Sequence, residues 1–149
     1  NIIIQKRCEI AEDMKAYELT ERLMDLAGEA FRESFADIMA QRVEAREQGF
    51  AKDRRMYRSY EVPADGLFDM ADMPENIYRL LRSVDYGKND IFPLMRTVID
   101  GREAEILRYR RISADKAKSE QDGGQEEKGF RYLPLGDHTV LKLKYAYVN

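Results

Sequence analysis

The sequence predicts two parts: a strand and long helix of α/β type, then a small, mostly-β, OB-like C-terminal domain. Three observations carry this. Ile2-Ile3-Ile4 is a β-branched aliphatic run, and an amphipathic stretch from Leu19 to Met39 follows it. Asp100-Gly101 lies between two alternating segments, a strong two-residue hairpin signal. Leu141, Leu143, Tyr145 and Tyr147 alternate with Lys142 and Lys144, the period of a strand with one buried face.

Taken in order, Ile2 to Ile10 reads as a short strand, with an aliphatic start suited to burial on both faces of a parallel sheet. The chain begins at Asn1 directly on this strand, so it reads as a piece of a longer polypeptide. Asp13 is the expected N-cap of the long helix, since its carboxylate can accept from the free amides of the first turn. Leu19, Leu23, Leu26, Ala30, Phe31, Phe35 and Ile38 recur in steps of three and four, and Glu21, Arg22, Asp25 and Glu29 fall on the wet side. A charged continuation ends near Gly49, an ordinary helix stop. Residues 1–48 therefore form the first part.

Residues 49–64 have no helical face and read as a basic, tyrosine-bearing connector. The second part spans 65–149. Asp65-Gly66 is a turn, and Met73-Pro74 opens a helix whose buried stripe is Ile77, Leu80, Leu81 and Val84. Phe92 to Ile99 and Ala104 to Ile112 are the arms of the first hairpin. Residues 113–128 carry no large apolar side chain and read as a solvated, mobile loop. Phe130 to Leu135 and Thr139 to Val148 form a last pair, turned at Gly136-Asp137.

Composition narrows the function classes. The 149 residues carry 25 basic and 28 acidic side chains, and a net charge of -3 excludes a uniformly basic nucleic-acid binder but not a local patch. Cys8 is the one cysteine and His138 the one histidine, which removes disulfide frameworks, multi-cysteine metal sites and most triads. No metal is expected. No run approaches the roughly 20 apolar residues of a membrane helix, so no membrane contact is expected and a cytoplasmic protein is. His138 beside Asp137 reads as an exposed turn residue, with an oriented acid/base group as the alternative. Cys8 reads as a small half-buried strand residue. No glycine motif for phosphate binding occurs. The exposed cluster Lys52, Arg54, Arg55 and Arg58, with Tyr57 and Tyr60, reads either as a solvated linker or as a substrate site. Guanidinium groups grip phosphate through paired hydrogen bonds, and tyrosines stack on bases or sugars.

The order of elements resembles the C-terminal part of folate-dependent formyltransferases, the family of methionyl-tRNA formyltransferase and the sugar N-formyltransferases. Asn1-Ile2-Ile3-Ile4-Gln5-Lys6, Ile10, Asp13 and the helix with Leu19, Leu23, Leu26, Gly28 and Phe35 look like the last strand and helix of its catalytic domain. Asp13-Met14 stands where the family has an Asp-Thr pair. Tyr57 to Pro63 followed by Asp65-Gly66-Leu67-Phe68-Asp69 is similar to its linker. Residues 75–85, from Glu75-Asn76-Ile77 to Ser83-Val84-Asp85, resemble the helix that opens its C-terminal domain, and Ile99-Asp100-Gly101 with Ala104 to Tyr109 its first hairpin. Tyr86 to Phe92 replaces a Pro-Trp-Pro-Gly type turn, and 113–128 is an insertion.

The resemblance implies that residues 1–48 complete a formyltransferase-type Rossmann-like sheet. It implies 10-formyltetrahydrofolate as cofactor, in a pocket mostly outside this chain, and a missing N-terminal catalytic half as partner. The family's catalytic Asn, His and Asp match no position here, so no catalytic or cofactor-binding residue is assigned and the isolated chain is expected to be inactive. Lys52, Arg54, Arg55 and Arg58 are then the expected contacts to a phosphate-bearing amine acceptor, such as a nucleotide-linked amino sugar or an aminoacyl-tRNA. The competing reading is a non-catalytic OB-like module that binds nucleic acid or protein. A helix-led dimerisation piece is the third, which makes an oligomer one of the expected states.

Overall fold

The computed structural model describes residues 1–49, 58, 61–87, 92–124 and 129–148. It divides into two compact units, Asn1–Ser59 and Tyr60–Asn149.

In the first unit, helix α1 spans Ala16–Met39. Its entry differs from the expected Asp13 cap. Lys15 is the residue before the first turn, and the Glu18 carboxylate reaches back to accept its backbone N–H at 2.7 Å. The helix also stops about ten residues before Gly49. Gln41 adopts a left-handed φ of 54°, its N–H donates to the Ile38 carbonyl, and the Arg42 N–H donates to the Asp37 carbonyl. Those two bonds form a Schellman closure, and a 2.9 Å ion pair from Arg42 to Asp37 fastens it.

The expected strand over Ile2 to Ile10 does not form. Ile2 makes one antiparallel bridge to Arg46, while Ile3, Ile4 and Ile10 stay exposed. A strand needs neighbours on which to zip, and no sheet lies among the described residues of this unit. Asn1–Lys6 instead lines one cleft with the α1 side that carries Leu26, Ala30, Ser34 and Ile38. Lys6 reaches Glu33 on α1 at 2.6 Å.

The second unit is a small, mostly-β assembly. A 3-10 turn at Pro63–Gly66 leads to helix α2, Pro74–Ser83, which starts on proline as expected. Strands β1 (Arg96–Ile99), β2 (Arg102–Ser113), β3 (Phe130–Pro134) and β4 (Thr139–Tyr147) follow, with helix α3 (Ala114–Asp122) between β2 and β3. The sheet is antiparallel and curled, in the order β1-β2-β4-β3. An OB barrel has five strands; the described residues contain these four. Both expected turns form. Asp100 and Gly101 take φ of 51° and 75°, the left-handed pair that a two-residue hairpin demands, and Leu135 and Thr139 close the β3–β4 turn.

The sheet has two chemically different sides. Ile77 and Leu81 of α2 pack with Met95, Ile99, Ala104, Ile106, Leu135, Leu141, Leu143 and Tyr145. This apolar face is the driving force of the unit, at about 25 cal/mol per Å² buried. Phe92 to Met95, read as strand, lies outside β1, whose pairing with β2 is short. The loop expected over 113–128 is corrected to a helix in its first part. Ser113 caps α3 by accepting the Lys116 N–H, and Ala117 is its single buried residue. Residues 125–128 lie outside the described residues.

Candidate functional site

A β-bulge decides which side chains reach the outer face. Up to Ile106, the even-numbered residues of β2 point inward: Ala104 and Ile106 are both buried. The pairing then slips between Ile106 and Arg108. One extra residue, Leu107, reverses the alternation. Tyr109 now packs against the core, and Arg108, Arg110 and Ile112 turn to the other side. Without that slip the two arginines would point into the core.

Register then assembles the site. Arg108 stands opposite Lys144, which stands opposite Phe130. Arg110 stands opposite Lys142, which stands opposite Tyr132. Each rung across the sheet is therefore Arg, Lys, aromatic. Arg108, Arg110, Lys142, Lys144 and Phe130 of these rungs, with Lys116 and Glu120 of α3, line a groove of about 230 Å³. Its walls carry five cations and one carboxylate.

Contacts within the groove fix its shape. Lys142 Nζ donates to Glu120 Oε2 at 2.6 Å, and the Tyr132 hydroxyl donates to the same oxygen at 2.9 Å. The Lys142 ammonium also lies 4.2 Å from the Phe130 ring centroid and 5.6 Å from that of Tyr132. The hydrogen bond from Lys142 holds the Glu120 carboxyl below the usual range, ahead of an opposing desolvation. Burial alone would lower the Lys142 ammonium; the Glu120 and Tyr132 hydrogen bonds outweigh it and raise it. Burial, then the bond to Glu120, pushes the Tyr132 hydroxyl up.

A second cleft, of about 690 Å³, is lined by Leu67, Phe68, Asp69, Asp72, Thr97, Val98 and Glu103. Its acids are engaged locally. Glu103 pairs with Arg96 at 2.7 Å, Asp69 accepts the Ala71 N–H and Asp72 the Asp69 N–H. It offers less convergent chemistry than the groove.

The residues singled out in the sequence fall elsewhere. Lys52, Arg54, Arg55, Tyr57 and Tyr60 lie outside the described residues, and Arg58 is exposed in the first unit. His138 is exposed in the β3–β4 turn with φ of 60°, and its carbonyl accepts the Ala114 N–H. Asp137 does not orient it: that carboxylate takes the Arg111 guanidinium at 2.8 Å and the Thr139 hydroxyl at 3.0 Å. Cys8 is a half-buried free thiol. Among the described residues no cluster of three or more His, Cys, Asp or Glu could hold a metal. No described helix is long and apolar enough to cross a membrane.

Sequence reading missed the groove. Its signal was Arg108 and Arg110 spaced by two, facing Lys142 and Lys144 spaced by two; only strand register makes them neighbours. Comparison with protein-family models, with curated proteins and with solved structures finds no match to this chain.

Proposed function

We propose that the chain is the C-terminal portion of a cytoplasmic, 10-formyltetrahydrofolate-dependent N-formyltransferase, and that its sheet unit positions a phosphate-bearing amine acceptor. In this reading α1 and the segment before it complete the Rossmann-like sheet of an N-terminal catalytic half. That half is the chain's partner and supplies the formyl-folate pocket and the Asn, His and Asp. Formyl-folate bound there would supply the formyl group, and a base of that half would take the proton of the attacking amine and return it to the folate nitrogen as that leaves. The present chain contributes binding and orientation.

The observation that carries the reading is the outer sheet face. Five cations converge on one groove in a chain whose net charge is -3. Guanidinium and ammonium groups so placed recognise phosphate. The residue pattern over 75–85 and the Asp100-Gly101 hairpin support the family assignment, and Lys52, Arg54, Arg55 and Arg58 remain proposed contacts to a phosphate-bearing acceptor.

The test joins this chain to a formyltransferase catalytic half and measures formyl transfer to a nucleotide-linked amino sugar. Replacing Arg108, Arg110 and Lys144 together with Gln raises the acceptor KM about tenfold or more with little change in kcat. An unchanged KM overturns the assignment of the groove. Failure of the joined protein to transfer a formyl group, when the same catalytic half joined to its own C-terminal part does, overturns the family reading.

A second reading rests on the alternation of cations with Phe130 and Tyr132, which suits an OB-like module binding single-stranded nucleic acid. It predicts oligonucleotide binding with a steep salt dependence.

A further inference from the structure

The two rungs present an electrostatic conflict. Arg108 faces Lys144 and Arg110 faces Lys142 directly across β2 and β4. Like charges placed opposite one another in a sheet are destabilising. Folding alone gives no reason to place two such pairs on adjacent rungs, so an anion is the natural resolution. In the structure part of that anion is supplied internally. The Glu120 carboxylate takes two donors on one oxygen, Lys142 Nζ and the Tyr132 hydroxyl. A phosphate oxygen is held in the same way. Lys142 is set for this by the Phe130 ring beneath it, and its side chain is only 16% exposed.

The element that carries Glu120 is short. Helix α3 has nine residues and buries one side chain, Ala117. A helix of that length does not persist in water without tertiary contacts. Its first turn is held by the Ser113 cap and by the His138 carbonyl, which accepts the Ala114 N–H. In its last turn Glu120 joins Lys142 and Tyr132, and Gly123 and Gly124 follow at once.

We propose that the groove is a binding site for a diphosphate group of a small ligand, and that α3 is a clasp whose Glu120 carboxylate occupies the phosphate position on Lys142 until the ligand displaces it. This rests on the reading of the outer face as an anion site and adds its ligand class and its gate. The volume of about 230 Å³ suits the anionic group alone, because whole drug-sized ligands need roughly 300 Å³ or more. Bound phosphate bridges the opposed rungs and releases Glu120 from Lys142.

The test titrates the full chain with inorganic pyrophosphate, read by amide chemical shifts and hydrogen exchange. Glu120→Gln keeps the shape and an acceptor for Tyr132 while removing the competing charge. It is expected to bind pyrophosphate about tenfold tighter than the wild type. Lys142→Met is expected to lose binding, and saturating pyrophosphate to speed exchange of the α3 amides in the wild type. Unchanged circular dichroism of each variant shows that it folds. If the wild type binds and Glu120→Gln binds equally or more weakly, the clasp is overturned and the anion site stands. If neither protein binds pyrophosphate, both are overturned. Binding confined to a single-stranded oligonucleotide overturns the small-ligand assignment in favour of nucleic acid.

Discussion

Lys142→Met removes the centre of the groove, and its cost follows from where the pair sits. The Lys142 and Glu120 side chains are 16% and 24% exposed. Breaking a fully buried pair costs about 3–5 kcal/mol. A fully exposed pair is worth about 0–1 kcal/mol. This pair lies between the two. The lost cation–π contact to Phe130, at 4.2 Å, adds about 0.5–1 kcal/mol. Relief of the repulsion with Arg110 returns about 0.2–1 kcal/mol. The net expectation is about 2 kcal/mol of destabilisation. Because the chain has two units, a single unfolding curve mixes them. Hydrogen exchange at the Leu141 and Leu143 amides of β4 reports the sheet unit by itself. A cycle with Glu120→Gln should give a coupling of about 1.5 kcal/mol between the two sites. A loss below about 0.5 kcal/mol with coupling near zero would refute the electrostatic account of the groove.

Three further outcomes follow from other parts of the sheet unit. Leu143→Ala empties a side chain with no exposed surface and is expected to cost about 3–4 kcal/mol, measured by the same exchange experiment. Gly129→Ala should destabilise by more than 1 kcal/mol, because φ is +79° and an added Cβ would lie 2.9 Å from the Tyr145 carbonyl oxygen; a neutral result would show that the backbone at this position relaxes freely. Acid should release α3 first. The Glu120 carboxyl is held below its ordinary value by the Lys142 hydrogen bond, so its contribution is present above the unfolded value of about 4.3 and is lost as pH falls through the lower folded value. The α3 amides should lose protection in that acid window before the β4 amides do.

Much of the sheet unit was legible because its signals are local. Asp100-Gly101 requires two left-handed residues and has them, Pro74 opens α2, and the alternation from Leu141 to Tyr147 marks the buried face of β4. What failed depended on distant partners. Ile2-Ile3-Ile4 has strand composition, but a strand forms only where a neighbour accepts its hydrogen bonds, and Ile2 alone finds one. Residues 113–128 lack large apolar side chains, yet Ser113, Ala117 and Glu120 suffice to cap, bury and tie a short helix. The bulge after Ile106 has no composition signal beyond the odd step from Ile106 to Tyr109, and it alone turns Arg108 and Arg110 outward. For the same reason the basic cluster chosen from sequence was the contiguous one at 52–58. The groove's cations come from β2 and the adjoining α3 and, about thirty residues further on, from β4.

The most direct test of the central claim is a map of amide shifts on the full chain as inorganic pyrophosphate is added. The account predicts a saturable set centred on Arg108, Arg110, Lys142, Lys144 and the Glu120 turn of α3. Shifts that are absent, or that fall only on residues away from the outer sheet face, would contradict it.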